Sequence, residues 1–308
     1  MSINLTLQHL ACFLRVSETG SFTQSGRALG LSQPALSRTI QQMEAMLGAR
    51  LFDRDTRNVM LTPTGLALRP IAERMLGEFS GAYGELAEFI AGRRGRVVVA
   101  TLPSLAAVLL APAVARFQAG YPDVAVAIQD GLAESVIEAV AAGRADLGLT
   151  VQATLDDRLT YQPLLEDTFG MVCRADDPLA SSGVVDWTVF RSRPFVAMAA
   201  ASSVRRMTDA AFLQAGLAVP ALYECSFLGT TGHLVAAGLG ITALPWLTLP
   251  LLGPAPLVWR RLERPVMRRS MGVVTRIGRT PAPPTENLLA AMRREAAALQ
   301  SYPPDGAS

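Results

Sequence analysis

The stretch Gly20-Ser21-Phe22-Thr23-Gln24-Ser25-Gly26-Arg27-Ala28-Leu29-Gly30-Leu31-Ser32-Gln33-Pro34-Ala35-Leu36-Ser37-Arg38 decides how this chain reads. Gly20 and Gly30 each close a run of helical spacing, where a residue free to turn left-handed ends a helix without steric cost. Ser21 and Ser32 stand where a hydroxyl accepts a first-turn N–H, and Pro34 sits in a first turn that has no use for its missing N–H. Two capped helices therefore meet across the turn Gly30-Leu31-Ser32, the arrangement of a helix-turn-helix. In the first of them Phe22, Ser25, Gly26 and Leu29 share a face, and the small Ser25 and Gly26 let a neighbouring helix approach closely.

Working outward, a preceding helix is expected from about Thr6 to Thr19, with Leu7, Leu10 and Leu14 at helical spacing. In the helix capped by Ser32, the residues Leu36, Ile40, Met43 and Leu47 form an inward stripe. Its other side offers Gln33, Ser37 and Gln41, flanked by Pro34 and Arg38. Such a face suits a major groove: glutamine pairs with adenine, arginine with guanine or phosphate, and serine with either. A solvated helix face is the ordinary alternative. The short turn, and the lack of a carboxylate between Ser32 and Glu44, favour the reading head. After Gly48, the runs Leu51-Phe52-Asp53-Arg54 and Val59-Met60-Leu61 flank the polar Asp55-Thr56-Arg57-Asn58, which predicts a hairpin wing. Arg54 and Arg57 at its tip reach for phosphate or the minor groove, or else pair with Asp53 or Asp55.

Thr62 and Pro63 open a further helix with apolar residues at Leu68, Ile71, Met75, Phe79, Tyr83, Leu86 and Ile90. A stripe of that length on a helix tethered to a small domain seeks a partner helix. Pro70, Gly77, Gly81 and Gly84 weaken it, and a bend is expected near Pro70.

These residues resemble the LysR-type transcriptional regulators. The resemblance rests on Phe13, Gly20-Ser21-Phe22-Thr23, Leu29, Ser32-Gln33-Pro34-Ala35-Leu36-Ser37, Ile40, Glu44, Leu47-Gly48, Leu51-Phe52, Arg54, Leu61-Thr62 and Gly65. It departs at Ser25-Gly26, where the family has two alanines; a glycine there loosens a helix by about 1 kcal/mol. The resemblance implies an N-terminal winged helix-turn-helix (1–62), a long linker helix that pairs antiparallel into a dimer (63–92), and a C-terminal effector-binding domain (93–300). That last part would have an α/β, periplasmic-binding-protein-like fold of two subdomains, I (93–162 and 268–300) and II (163–267), with chain crossings near Gln162 and Met267. The partners implied are double-stranded DNA, a small-molecule effector, further copies of the chain as dimer or tetramer, and RNA polymerase. No cofactor, metal or catalysis is called for.

The residues of the C-terminal part agree with an α/β reading. Val97-Val98-Val99 is a buried strand, followed by a helix (104–119), a strand (124–129), a helix (133–142) and a strand (146–151). The style repeats with strands at 169–174 and 194–198, a helix at 203–215, an extended run at 221–227 and a helix at 232–238. Ligands in such folds bind beyond the carboxyl ends of strands, beside helix N-termini that favour an anion. Thr101, Pro103 and Ser104 occupy one such link, Ser202 and Ser203 a second, and Phe227 and Thr230 a third. Hydroxyls at helix starts are also ordinary caps, and the convergence of these rests on the fold alone. The resemblance makes the position of Ser104 and the loop after the second strand effector contacts. Gly131-Leu132 in that loop, where relatives carry a hydroxyl, implies a less polar pocket, for an aromatic or aliphatic carboxylate.

Composition excludes much. The 308 residues carry a formal net charge of +2, too little for binding by bulk charge, and all 28 basic residues are arginine. Without lysine there is no Schiff-base chemistry and no phosphate-gripping P-loop. His9 and His233 lie far apart, and Cys12, Cys173 and Cys225 lack metal-type spacing, which reads as reduced thiols in a cytoplasmic protein. No Asp, Glu, Lys or Arg occurs between Cys225 and Trp259, but prolines and glycines interrupt the stretch, so it reads as core and not as a membrane span. Two alternatives stay open: a redox-sensing regulator of the same fold that uses Cys225, and a small-molecule-binding protein or enzyme without DNA function.

Overall fold

The computed structural model describes residues 4–54, 59–152 and 157–300, with only the backbone of Arg54 and Gln300. It divides into two compact units, Met1–Glu88 and Phe89–Ser308.

In the first unit α1 (Leu7–Thr19), α2 (Phe22–Leu29) and α3 (Gln33–Leu47) precede β1 (Phe52–Arg54), β2 (Val59–Leu61) and α4 (Pro63–Ile90). Thr6, Ser21 and Ser32 are the N-caps of the first three helices, each accepting a backbone N–H with its hydroxyl, so the first helix begins one residue after Thr6. Gly20, Gly30 and Gly48 end those helices at φ 61, 68 and 67°, where a side chain would be strained. The wing is an antiparallel pair with Phe52 opposite Leu61. Phe13, Val16, Leu36, Ile40, Met43, Leu51 and Phe52 form the core, the Phe52 ring lying 5.4 Å from Phe13 and 6.0 Å from Phe22.

One device holds the wing against α3 and a second closes its base. The Glu44 carboxylate accepts the Leu51 amide at 2.8 Å and the Phe52 amide at 3.3 Å. The Thr62 hydroxyl donates to the Arg50 carbonyl at 2.7 Å and accepts the Gly65 amide, capping α4. A Cβ at Gly65 would collide with the Leu51 carbonyl, so only glycine lets α4 pass. The helix continues unbroken through Pro70. Its Ala72 lies in the N-terminal core with Leu68 and Leu76 packed against it, so the first turns of the linker helix belong to that core.

The second unit opens with β3 (Gly95–Thr101), a helical run of α5 (Pro103–Leu105), a π-turn (Ala106–Leu110) and α6 (Ala111–Gly120), and then β4 (Val124–Asp130). Next come α7 (Ala133–Ala141), β5 (Leu147–Val151), β6 (Leu159–Arg174), β7 (Val184–Asp186) and β8 (Phe195–Met198). The remainder is α8 (Ser203–Gln214), β9 (Ala221–Cys225), α9 (Leu228–Ala236), β10 (Thr242–Pro245), β11 (Leu257–Glu263), β12 (Arg268–Arg276) and α10 (Pro283–Gln300). The main sheet runs β4-β3-β5-β12-β6-β11-β7, with β10 also on β6 and a separate parallel pair β8-β9.

Two cores flank the crossing strands. One collects residues from 97 to 165 and from 271 to 296, the other residues from 169 to 262. Strand β6 runs through both: residues 159–168 pair with β12, and residues from Phe169 onward pair with β10 and β11. The change of partner falls at Thr168/Phe169, later than the expected crossing near Gln162, and the strand expected at 169–174 is only its second half.

Candidate nucleic-acid interface and ligand cavity

The polar residues expected on α3 share its outer side. Gln33, Pro34, Arg38 and Gln41 are exposed, Ser37 is half-buried, and Leu36, Ile40 and Met43 are buried behind them. Ser32 is exposed, but its oxygen is engaged by the Ala35 amide at 3.3 Å. Gln33, Arg38 and Gln41 take no side-chain partner among the described residues. Arg54 lies in β1, its side chain outside the described residues, as is the whole of Arg57.

The stripe on α4 divides. Leu68 is half-buried against the core of the first unit. Ile71, Met75, Phe79, Tyr83, Leu86 and Ile90 are exposed, and the Phe79 and Tyr83 rings stack at 6.4 Å.

In the second unit a cavity of about 610 Å³ opens where strands β3, β4, β8 and β9 end. Of the expected effector contacts, Pro103, Ser104, Leu132, Ser202, Ser203 and Phe227 line it. Thr101 and Thr230 do not. The Thr101 hydroxyl is buried and donates to the Leu102 carbonyl. Thr230 lies inside α9, which starts at Leu228, four residues before the expected start. The neighbouring Thr231 is not a cap: its hydroxyl faces the Met198 sulfur at 3.3 Å and donates to the Phe227 carbonyl at 3.2 Å.

The N-termini of α7, α8 and α9 border this cavity. Only α8 has a side-chain cap, Ser202 accepting the Val204 amide at 3.2 Å. Leu132 and Phe227 hold the cap positions of α7 and α9 and offer no acceptor. Their first-turn amides have no capping oxygen, and an anion satisfies such groups.

Sequence reasoning missed the floor. Arg269 on β12 lines the cavity and pairs with Asp167 directly opposite on β6, its Nε and Nη2 donating to Oδ2 at 3.1 and 2.7 Å. Both side chains are buried, 3% and 1% exposed. The Leu247 amide donates to the Asp167 carboxylate at 3.3 Å. No local pattern marked the pair, because the neighbouring Glu166 and Arg268 are charged too and lie exposed. Thr248, Met198 and Leu251 also line the cavity. Outside the cavity lining, Arg206 of α8 reaches Glu134 of α7 at 3.0 Å, an exposed pair worth about 0–1 kcal/mol.

All three cysteines are buried. Cys225 sits on β9 opposite Met198, outside the cavity lining. Burial, with the nearby Asp177, pushes the Cys173 thiol up to about 11, and burial also raises Cys12. Among the described residues there is no His/Cys/Asp/Glu cluster able to hold a metal, and no helix is long and apolar enough to cross a membrane.

Comparison with known proteins falls on the same two units. A family model for the bacterial regulatory helix-turn-helix protein, lysR family, matches residues 7–66, and one for the LysR substrate binding domain matches residues 91–297. The HTH-type transcriptional regulator YfeR of Shigella flexneri is 31% identical over 299 residues, covering 97% of each chain. The regulator YbhD of Escherichia coli (strain K12) is 30% identical over 284 residues, 92% of this chain and 90% of its own. Among solved structures, full-length CbnR complexed with its target DNA superposes with a TM-score of 0.73 at 20% identity, over 95% of this chain and 100% of that one. The oxidized form of Corynebacterium glutamicum OxyR gives 0.69 at 24% identity, over 98% of this chain and 96% of that one. At these identities the superpositions speak to the fold.

Proposed function

Because this chain belongs to the LysR family of transcriptional regulators, we propose that it reads operator DNA with the outer face of α3 and alters that binding when a small molecule fills the cavity of its second unit. The observation that carries the reading head is a polar face whose Gln33, Arg38 and Gln41 have no side-chain partner among the described residues and point away from a packed core. Arg54 and Arg57 of the wing contribute phosphate or minor-groove contacts. Pairing of two copies through Ile71, Met75, Phe79, Tyr83, Leu86 and Ile90 brings two reading heads to one partly palindromic site, and higher assembly to a tetramer and contact with RNA polymerase follow on the same DNA. The effector acts by shifting a population: the form whose cavity it fills is stabilised by its differential affinity, and no catalytic step is needed.

Footprinting on the DNA flanking the protein's own gene, against excess random DNA, tests the reading. Two protected half-sites on one face of the duplex are expected, and Arg38→Ala weakens protection by roughly ten- to a hundredfold, the loss of one base-edge contact. Failure to select any sequence from a random library would remove the reading. Burial of Cys225 outside the cavity favours the small-molecule reading over a thiol switch, and Cys225→Ser is expected to leave regulation intact.

A further inference from the structure

We infer that Glu44 and Thr62, gripping the segment Arg50–Phe52 from opposite sides, fix the reading helix α3 to the linker helix α4 and so set the separation of half-sites that the protein accepts. The inference rests on the operator reading proposed above, and it concerns how far apart bases are read, not which bases.

Glu44 follows Ser37 and Gln41 at spacings of four and three, so it continues their stripe on α3. A carboxylate facing DNA repels phosphate. Here its Oε1 is instead turned onto two successive backbone amides, Leu51 at 2.8 Å and Phe52 at 3.3 Å. Both residues are buried, so these amides depend on that one acceptor oxygen.

The other side of the segment belongs to the start of α4. The Thr62 amide donates to the Leu51 carbonyl at 3.0 Å. The Thr62 hydroxyl donates to the Arg50 carbonyl at 2.7 Å and accepts the Gly65 amide at 3.0 Å. Leu51 therefore has its N–H held by α3 and its C=O held by the start of α4. Leu68, Ala72 and Leu76 add apolar contact with the core. Such contact is non-directional, whereas hydrogen bonds converging on one backbone segment fix an angle.

Leverage makes the angle matter. Phe79, on the exposed stripe of α4, lies about 24 Å along the helix from Pro63 at about 1.5 Å per residue. A tilt of about 10° at the base moves α3 by about 4 Å relative to that stripe, where successive base pairs are about 3.4 Å apart. An added base pair also turns the second half-site by about 35° around the duplex axis. Heads rigidly fixed to paired α4 helices follow neither change, and loosely fixed heads follow both.

The test uses the full-length protein and duplexes carrying the half-sites that the wild type selects from a random library, with the spacer varied one base pair at a time. Wild type is expected to favour one spacer by at least about tenfold over its neighbours, as read by fluorescence anisotropy. Glu44→Ala and Thr62→Val are each expected to shrink that preference to about threefold or less, with the ranking of half-site base changes preserved. Glu44→Gln keeps Oε1 and Thr62→Ser keeps the hydroxyl, and both are expected to retain the full preference. Ser25→Ala removes buried hydrogen bonds between α1 and α2, away from this path, and is expected to retain it too. Should Glu44→Ala fail to fold, Thr62→Val reads the same link from the α4 side. Equal weakening at every spacer in Glu44→Ala and Thr62→Val would show a purely structural role and overturn the inference. A wild type indifferent to spacing, or Glu44→Gln behaving as Glu44→Ala, also overturns it. Failure of the wild type to select any sequence overturns the operator reading itself, and the inference with it.

Discussion

A methyl group added at Gly26 would lie 2.8 Å from the Leu31 carbonyl oxygen, inside the turn that joins α2 to α3. Helix propensity favours alanine there by about 1 kcal/mol, but the obstacle is backbone held by its own hydrogen bond from the Leu31 amide to the Gly26 carbonyl at 2.8 Å. Overpacking against a fixed group costs roughly 1–3 kcal/mol. Gly26→Ala is therefore expected to lower stability by about 1 kcal/mol in urea titration, against the propensity scale. Ser25 is buried for a related reason, its hydroxyl bridging the Arg15 carbonyl and the Thr19 hydroxyl. At the same scale, the raised pKa of Cys173 keeps it a thiol at neutral pH, since loss of its proton waits until about 11. Native protein at pH 8 is expected to alkylate at Cys173 far more slowly than protein unfolded in urea, as followed by mass spectrometry. Equal rates would show an open path to the sulfur.

Helix α4 carries a prediction of its own. Phe79 and Tyr83 are half or more exposed, 50% and 64%, on a helix face with no described cover. Phe79→Glu is expected to shift sedimentation from dimer to monomer while leaving the melting of the first unit unchanged, because Phe79 lies outside that core. The two ends of the molecule were unequally legible. Caps and αL glycines made α1 to α3 readable almost to the residue, because local hydrogen bonds decide those ends. Strand β6 was not readable as one element, because Pro163 within it reads as a strand breaker. A bulge resolves the conflict: β12 shifts register between Met271 and Gly272, opposite Leu165 and Pro163, and Gly272 is obligatory because a Cβ would strike the Gln162 carbonyl. The early start of α9 was hidden for the opposite reason. Its cap position holds Phe227 instead of a polar residue, so no local signal marks it.

At the scale of the whole molecule, Asp167 and Arg269 join strands whose partners are set more than a hundred positions apart in sequence, which is why pattern reading found the hydroxyls at the helix starts and not the ion pair between them. Removing one member leaves a buried charge alone. Arg269→Leu is expected to cost roughly 3–5 kcal/mol, and Asp167→Leu/Arg269→Leu to recover most of it. Chemical denaturation of the three proteins checks this, and an additive loss in the double variant would show that the pair is not coupled. Strand β6 has its own consequence. One end is bonded within the first core of the second unit and the other within its second core. Opening either lobe alone leaves half of the strand still protected, so free exchange along its whole length waits for both to open. In deuterated solvent β6 is expected to be the last segment to gain mass, as a keel is the last timber exposed when either side of a hull is stripped.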